Sequence, residues 1–342
     1  MDIVRFAVAG CGFIGNLHAR VIQSIPNAQV IATMDTCTKR AQELAEKYEC
    51  SWYDNAEEML NNPHIDVVSI CLPSGLHWEL TVKAAKAGKH VICEKPIDIC
   101  LESAQKMVDA CRQHRVQLGV IMQHRFDEPV LLLKKAIENG WFGKLLWGAS
   151  RTIWYRDDQY YSNPWRGTWK YDGGGALMNQ SIHYIDLLLS IMGNPKSISG
   201  KCRTLGHSQI ETEDIGLADI EFESGALGTI EGTTVSYPGL YAELSIFGEK
   251  GSAIIRNDYL TFYQFQDGKK AEFETLLNPE AANHLNTSPA IKDDSHRKQY
   301  EDFIQAVLLN QDPAVTGEEA MKSLHLIQAI YESSQKKCEI YL

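Results

Sequence analysis

The chain has 342 residues, 44% of them hydrophobic and 23% charged, an ordinary globular composition in a length that predicts two domains. A formal net charge of −11 argues against a nucleic-acid partner, which needs a basic face for phosphates, and leaves room only for a local basic pocket. Nine scattered cysteines with no C-x-x-C pair, no zinc-ligand spacing, an apolar strand from the N-terminus and no apolar run near ~18 residues predict a reduced cytoplasmic protein without metal, signal peptide or membrane segment.

Val4 to Ala9 reads as a short buried parallel strand. Gly10-Cys11-Gly12-Phe13-Ile14-Gly15 follows directly, and a helical pattern opens through Leu17, Val21, Ile22 and Ile25. G-x-G-x-x-G between a strand and a helix predicts dinucleotide binding. The first glycine turns the chain, the second admits a pyrophosphate to the helix N-terminus, and the third lets helix and strand pack closely. The run Val30 to Met34 ends at Asp35, twenty residues after Gly15. A carboxylate there accepts bonds from the adenosine ribose and repels a 2′-phosphate, which selects NAD over NADP. Asp35 could equally start the next helix, whose exposed first turn accounts for Lys39 and Arg40.

Further strands are predicted over Asp66–Leu72, His90–Cys93 and Gln117–Ile121, with helices Trp78–Ala87 and Leu101–Gln113 between them. Repeated β-α-β units give a doubly wound parallel sheet, and ligands of such sheets bind at the carboxyl ends of the strands. Leu72, Pro73 and Ser74 lie at that edge and are expected to line the nicotinamide half. His77 either joins that lining or is only an N-terminal helix residue. Glu94-Lys95-Pro96 ends the next strand at the same edge. Its lysine is either a solvated turn residue or a functional group on a turn that proline stiffens, with a cis peptide bond as one form.

After Gln123-His124-Arg125-Phe126 the texture changes, so the first domain is placed at 1–123 and the second at 124–342. Helix Pro129–Asn139 and strand Lys144–Trp154 lead into residues 154–175, where Trp154, Tyr155, Tyr160, Tyr161, Trp165, Trp169 and Tyr171 mix with Arg156 and Arg166, close behind Arg151. A pocket that stacks a sugar and pairs an anionic group suits this stretch better than nucleic-acid stacking; a loop pinned by its own aromatics is the alternative. Gly173-Gly174-Gly175 then opens a helix on which Asn179, His183 and Asp186 share a face at i, i+4 and i+7. Histidine suits proton transfer near neutral pH; a satisfied core histidine is the other reading of His183. Strands Ile215–Phe222, Leu227–Thr234, Ala242–Phe247 and Ala253–Ile255 predict an antiparallel meander. Residues 278–295 read as polar and irregular. Helices His296–Leu309 and Glu318–Lys336 close the chain and could pack back on the first domain.

Taken together, the glycine motif, Gly88-Lys89-His90-Val91 leading into Glu94-Lys95-Pro96, Gly173 through Asp186, and Pro313 through Glu319 with Ile330-Tyr331-Glu332-Ser333 resemble the glucose–fructose oxidoreductase / inositol dehydrogenase / rhizopine catabolism (Gfo/Idh/MocA) family over essentially the whole chain. The resemblance implies a Rossmann domain followed by an α/β domain whose mostly antiparallel open sheet forms a homodimer or homotetramer. It also implies oxidation of a sugar or cyclitol hydroxyl by hydride transfer to a nicotinamide. By position, Lys95 orients or deprotonates the hydroxyl and His183 is the general acid/base, with Glu94 and Lys95 beside the cofactor. Many members carry aspartate where this chain has Asn179; an amide cannot take a proton, so Asn179 can only position, and the base role falls to Lys95 or His183. Trp165-Arg166-Gly167-Thr168-Trp169 with the following glycine motif is similar to nucleotide-sugar members, the UDP-N-acetylglucosaminuronate 3-dehydrogenases in particular. In that setting Arg166 or Arg125 would meet a carboxylate or phosphate. The alternatives are a carbonyl reductase running in reverse and a non-catalytic regulator that senses the cofactor.

Overall fold

The computed structural model describes residues 3–266, 268 and 293–342. The chain forms two compact units, Met1–Gln123 with Lys292–Met321, and His124–Ile291 with Lys322–Leu342.

In the first unit, β1 (Val4–Ala9), β2 (Ala28–Met34), β3 (Ser51–Tyr53), β4 (Val67–Ile70), β5 (His90–Cys93) and β6 (Leu118–Val120) make one sheet in the order β3-β2-β1-β4-β5-β6. Every pairing in it is parallel. Their apolar runs are buried because helices cover both faces, among them α1 (Phe13–Gln23), α4 (His77–Lys86) and α5 (Leu101–His114). The short edge strand β3 was not expected from the sequence; its Ser51 and Trp52 are exposed, so no apolar run marks it.

The helix Asp293–Leu309 belongs to this unit and completes its core. Tyr300, Phe303 and Ile304 are buried with Val4, Phe6 and Ile92, and the Tyr300 and Phe6 rings meet edge-on at 5.7 Å. Each such aromatic contributes about 2–3 kcal/mol by leaving water. The helix starts three residues earlier than the sequence suggests, because Asp293 and Asp294 occupy its first turn, where carboxylates face the positive end of the helix dipole. The rest of the predicted irregular stretch, 278–292, lies outside the described residues.

The second unit is built on an eight-stranded sheet. Its strands are β7 (Leu145–Ile153), β8 (Pro195–Arg203), β9 (Ile215–Phe222), β10 (Leu227–Thr233), β11 (Tyr241–Gly248), β12 (Gly251–Arg256), β13 (Tyr259–Phe265) and β14 (Ile340–Tyr341). The order is β13-β12-β11-β7-β10-β9-β8-β14. The expected meander is modified in one respect: β7 lies between β10 and β11 and runs parallel to β10, the one parallel pair in the sheet. The strand β8 (Pro-Lys-Ser-Ile-Ser-Gly-Lys-Cys-Arg) escaped the sequence reading because it has no apolar run; β9 gives it its partner. Helix α7 (Ile182–Met192) covers one face at β7 and β11.

Candidate active site

At the carboxyl edge of the parallel sheet, Gly10-Cys11-Gly12 turns from β1 into α1. A β-carbon on Gly15 would lie 1.8 Å from the Gly10 carbonyl oxygen, so only glycine lets helix and loop close there. At Gly12, by contrast, a β-carbon would meet nothing within 4 Å, which leaves the start of α1 open. No acidic side chain occupies the first turn of α1, so its positive end suits an anion. Phe13 is exposed and Ile14 half-buried beside it. Asp35 is held rigidly: its two carboxylate oxygens accept the Cys11 N–H at 2.9 Å and the Cys37 N–H at 2.8 Å. This anchors Asp35 to the glycine loop itself, while Lys39 and Arg40 are exposed. These residues fit a dinucleotide, with the pyrophosphate at the start of α1 and a ribose at Asp35.

The same edge carries Leu72, Pro73 and Ser74 after β4, and Glu94-Lys95-Pro96 after β5, where the Lys95–Pro96 peptide is cis. Lys95 is half-buried. Two residues of this edge, His77 and Glu94, turn inward. His77 is fully buried; its Nδ1 faces the Pro96 carbonyl at 3.0 Å and its Nε2 faces the Leu72 carbonyl at 2.9 Å, so it ties the two ligand-edge turns together from behind. Glu94 is buried too, accepting the Lys95 N–H at 3.0 Å and lying 2.9 Å from His18 Nε2. Burial alone would raise the Glu94 carboxyl, but the hydrogen bond and charge of His18, with the charge of Lys95, pull it down to about 2. Burial likewise opposes charge on His18, and Cys71 and Glu94 overcome it, raising the imidazole to about 10. The result is an ion pair inside the fold that pins the Lys95 turn to the helix of the glycine motif. On its other side, His18 Nδ1 lies 2.8 Å from the Tyr300 hydroxyl and 3.0 Å from Ser69 Oγ.

In the second unit the stretch Ala176–Ser181 is a π-helix, which passes into α7 at Ile182. This corrects the expectation of one α-helical face carrying Asn179, His183 and Asp186: the wider turn breaks the four-residue register, and the three side chains find different neighbours. Asp186 is buried and takes both arms of the Arg125 guanidinium, at 2.7 and 2.8 Å. The pair locks the segment after Gln123 onto α7 and gives Arg125 a partner within the protein. His183 meets the ring of His124 edge-on at 5.1 Å. His124 Nδ1 lies 2.6 Å from Asp127 and 3.1 Å from Asp258, and these carboxylates overcome its burial and raise it to about 10. Between Ala176 and Leu189 every residue is buried except Asn179 and His183.

Around Asn179, the aromatic and arginine residues of the 154–175 stretch converge. Tyr160 donates its hydroxyl to Asn179 Oδ1 at 3.4 Å, and Gln180 Nε2 donates to Tyr160 at 2.7 Å and to Asn179 at 2.9 Å. Arg156 reaches Gln180 at 2.8 Å. The Arg166 guanidinium stacks 3.8 Å from the Tyr160 ring centre and 5.0 Å from that of Trp165. Burial lowers the Arg166 pKa, only partly offset by Asp172. A half-buried cation on two aromatic faces can hold an anionic group.

The sequence profile described as "oxidoreductase family, NAD-binding Rossmann fold" matches residues 4–122, and the profile of that family's C-terminal alpha/beta domain matches residues 134–342. The chain belongs to the Gfo/Idh/MocA oxidoreductase family. It is thus an NAD-binding oxidoreductase. Among solved structures, the WlbA dehydrogenase of Bordetella pertussis, crystallised with NADH and UDP-GlcNAcA, superposes with a TM-score of 0.90 at 31% identity, over 100% of this chain and 98% of that one. The myo-inositol 2-dehydrogenase of Thermotoga maritima is 28% identical over 346 residues, 99% of this chain and 98% of its own. The D-glucoside 3-dehydrogenase of Escherichia coli is 27% identical over 364 residues.

Residues that sequence reasoning passed over are those that hold the site from behind: His18, His124, Asp172, Gln180 and Glu213. Glu213 accepts the Gly175 N–H at 2.9 Å, the Leu177 N–H at 2.8 Å and the Tyr331 hydroxyl at 2.9 Å. Burial raises its carboxyl to about 7 despite these donors. A β-carbon on Gly175 would sit 1.9 Å from the Glu213 carbonyl oxygen, so the backbone approach that the triple glycine permits is to the protein's own chain. Among the described residues, two groups, His18-Glu94-His296 and His124-Asp127-Asp258, bring donor atoms within 4.8 Å of one another. In each, histidine–carboxylate hydrogen bonding accounts for the proximity.

Proposed function

We propose that this chain oxidises a secondary hydroxyl of a sugar derivative, a nucleotide sugar bearing a carboxylate being the class that fits best. The observation that carries this reading is the exposure pattern of the Ala176–Leu189 segment, where Asn179 and His183 alone break an otherwise buried run. An amide and an imidazole delivered to the surface of a packed helix beside an aromatic wall suit a polyhydroxylated ligand. Tyr160 and Trp165 offer stacking faces for a ring, and Arg166 offers charge to a carboxylate or phosphate. The relatives that act on inositol and on glucosides, and the one crystallised with UDP-GlcNAcA, support the substrate class.

Bound NAD supplies the hydride acceptor. Lys95 and His183 are the groups that handle the hydroxyl proton, since Asn179 can accept or donate a hydrogen bond but cannot take a proton. Glu94 and His18 hold the backbone at Lys95; His124 packs against the ring of His183. Leu146, Leu217, Leu227 and Phe262 expose apolar surface on the eight-stranded sheet and supply a self-association face for a dimer or tetramer. All nine cysteines are free thiols, which suits the reducing cytoplasm.

The test is a panel of polyols, free sugars, uronates and nucleotide sugars with NAD, followed by NADH absorbance. Turnover on at least one sugar hydroxyl is expected, and Lys95→Met should lower kcat by roughly 10²–10⁴-fold while leaving NAD affinity intact. Unchanged turnover in Lys95→Met would remove the lysine from the mechanism. No turnover on any compound, in either direction, would return the chain to a cofactor-sensing role.

A further inference from the structure

Asn179 stands between two kinds of neighbour. Its Oδ1 accepts from Tyr160 and Gln180, and its Nδ2 donates to the buried carboxylate of Asp172. The second oxygen of Asp172 accepts the Gly167 N–H at 2.8 Å. An aspartate at position 179 would keep the bonds from Tyr160 and Gln180, because both are donors. It would lose the bond to Asp172 and set two carboxylates face to face. Burial makes that contact costly, since like charges that close share a proton. The other groups around Asp172 are Arg166, Tyr161 and Tyr331, with Arg156 beyond Gln180, and the nearer guanidinium already serves as Asp172's counter-charge.

We propose that Asp172 is a positioning residue that fixes the polarity of the Asn179 amide, turning its carbonyl oxygen toward Tyr160 and Gln180 and excluding a carboxylate from position 179. The site is therefore committed to an acceptor that cannot take a proton, by a residue seven positions earlier rather than by residue 179 alone. This deepens the sugar-dehydrogenase reading of the same site and rests on it for its kinetic consequence, but its electrostatic part holds without any substrate.

The test uses Asn179→Asp, Asp172→Asn and the double variant that exchanges the two. Without ligand, Asn179→Asp should lose thermal stability relative to the starting protein as pH rises from 5 to 8, by about 5 °C at the upper end, because the shared proton must leave a group whose folded-state pKa is raised. The exchanged double variant should show no such slope, since its amide again faces a single carboxylate. In turnover, Asp172→Asn should lower kcat/KM about tenfold with NAD affinity unchanged, and the double variant should recover most of the activity that Asn179→Asp loses. A pH-independent stability difference in Asn179→Asp, or a double variant no better than that single one, would overturn the proposal. Absence of any substrate would refute the sugar reading and leave the stability slope to decide this one.

Discussion

Replacing Glu213 with glutamine isolates the cost of a buried carboxylate behind the turn at Gly175–Leu177. Its carboxyl is raised from 4.5 to about 7, chiefly by burial. At roughly 1.4 kcal/mol per pH unit, ionising it inside the fold costs about 3 kcal/mol more than in the unfolded chain. Because the folded-state value is the higher one, stability is intact below 4.5 and is lost as pH rises through about 7. Glutamine cannot ionise, so it removes that loss. It has one oxygen, which can keep Leu177 and Tyr331, while its amide nitrogen then faces the Gly175 N–H; leaving that donor unsatisfied costs about 1–3 kcal/mol at every pH. Glu213→Gln should therefore melt below the wild type at pH 5 and approach or overtake it at pH 8. For a unit of this size the gap should close by about 5–10 °C. Differential scanning of both proteins at pH 5, 6, 7 and 8 measures it, and other titrating groups cancel in the difference. A melting gap that stays constant with pH would show that Glu213 does not ionise in this range and would refute the reasoning.

The His18–Glu94 pair has a different window. Glu94 is depressed from 4.5 to about 2, so its contribution is present above 4.5 and is lost as pH falls through 2; His18 is raised from 6.5 to about 10, so its share is present below 6.5 and is lost as pH rises through 10. Glu94→Gln should cost about 3–5 kcal/mol, because it strands a buried imidazole, with the largest melting difference between pH 4.5 and 6.5 and a smaller one by pH 9. A difference that grows steadily with pH would contradict the pairing. Asp35→Asn should weaken NAD binding about tenfold in calorimetry, since a charged acceptor for the ribose is lost, and should narrow the preference over NADP. Equal affinity in the two proteins would mean that Asp35 serves only the Cys11 and Cys37 amides.

The Rossmann unit was legible because its signals are local. A glycine motif between a strand and a helix, apolar runs with turn residues, and an acid at the end of β2 each declare themselves within a few residues. The same locality explains what was misjudged. Spacing alone placed Asn179, His183 and Asp186 on one face, but a π-helical turn leaves no clear mark in sequence and changed their neighbours. The ion pair of Arg125 with Asp186 went unseen because the two lie 61 residues apart. His77 and Glu94 sat at the right edge of the sheet but point inward, a choice set by carbonyls and a histidine that only the folded chain brings near. Strand β8 has no apolar run and β14 is only two residues long, so periodicity was silent there.

These cases share a physical cause. Half-buried groups such as Lys95, Asn179 and His183 sit in recognisable motifs, whereas the residues that hold them are single polar side chains in unrelated segments. His18 and Glu94 are 76 residues apart, and Glu213 meets Gly175 across 38. A buried polar atom must find a partner, but the partner's address is set by topology rather than by spacing. Gly173-Gly174-Gly175 is the instructive case. In sequence it marks only the opening of a helix, yet Gly174 and Gly175 make room for Tyr331 and for the Glu213 backbone, and the half-buried Asn179 and His183 come four and eight residues after Gly175. The motif thus marks where the chain must pack against itself so that the amide and the imidazole beyond it emerge in fixed positions.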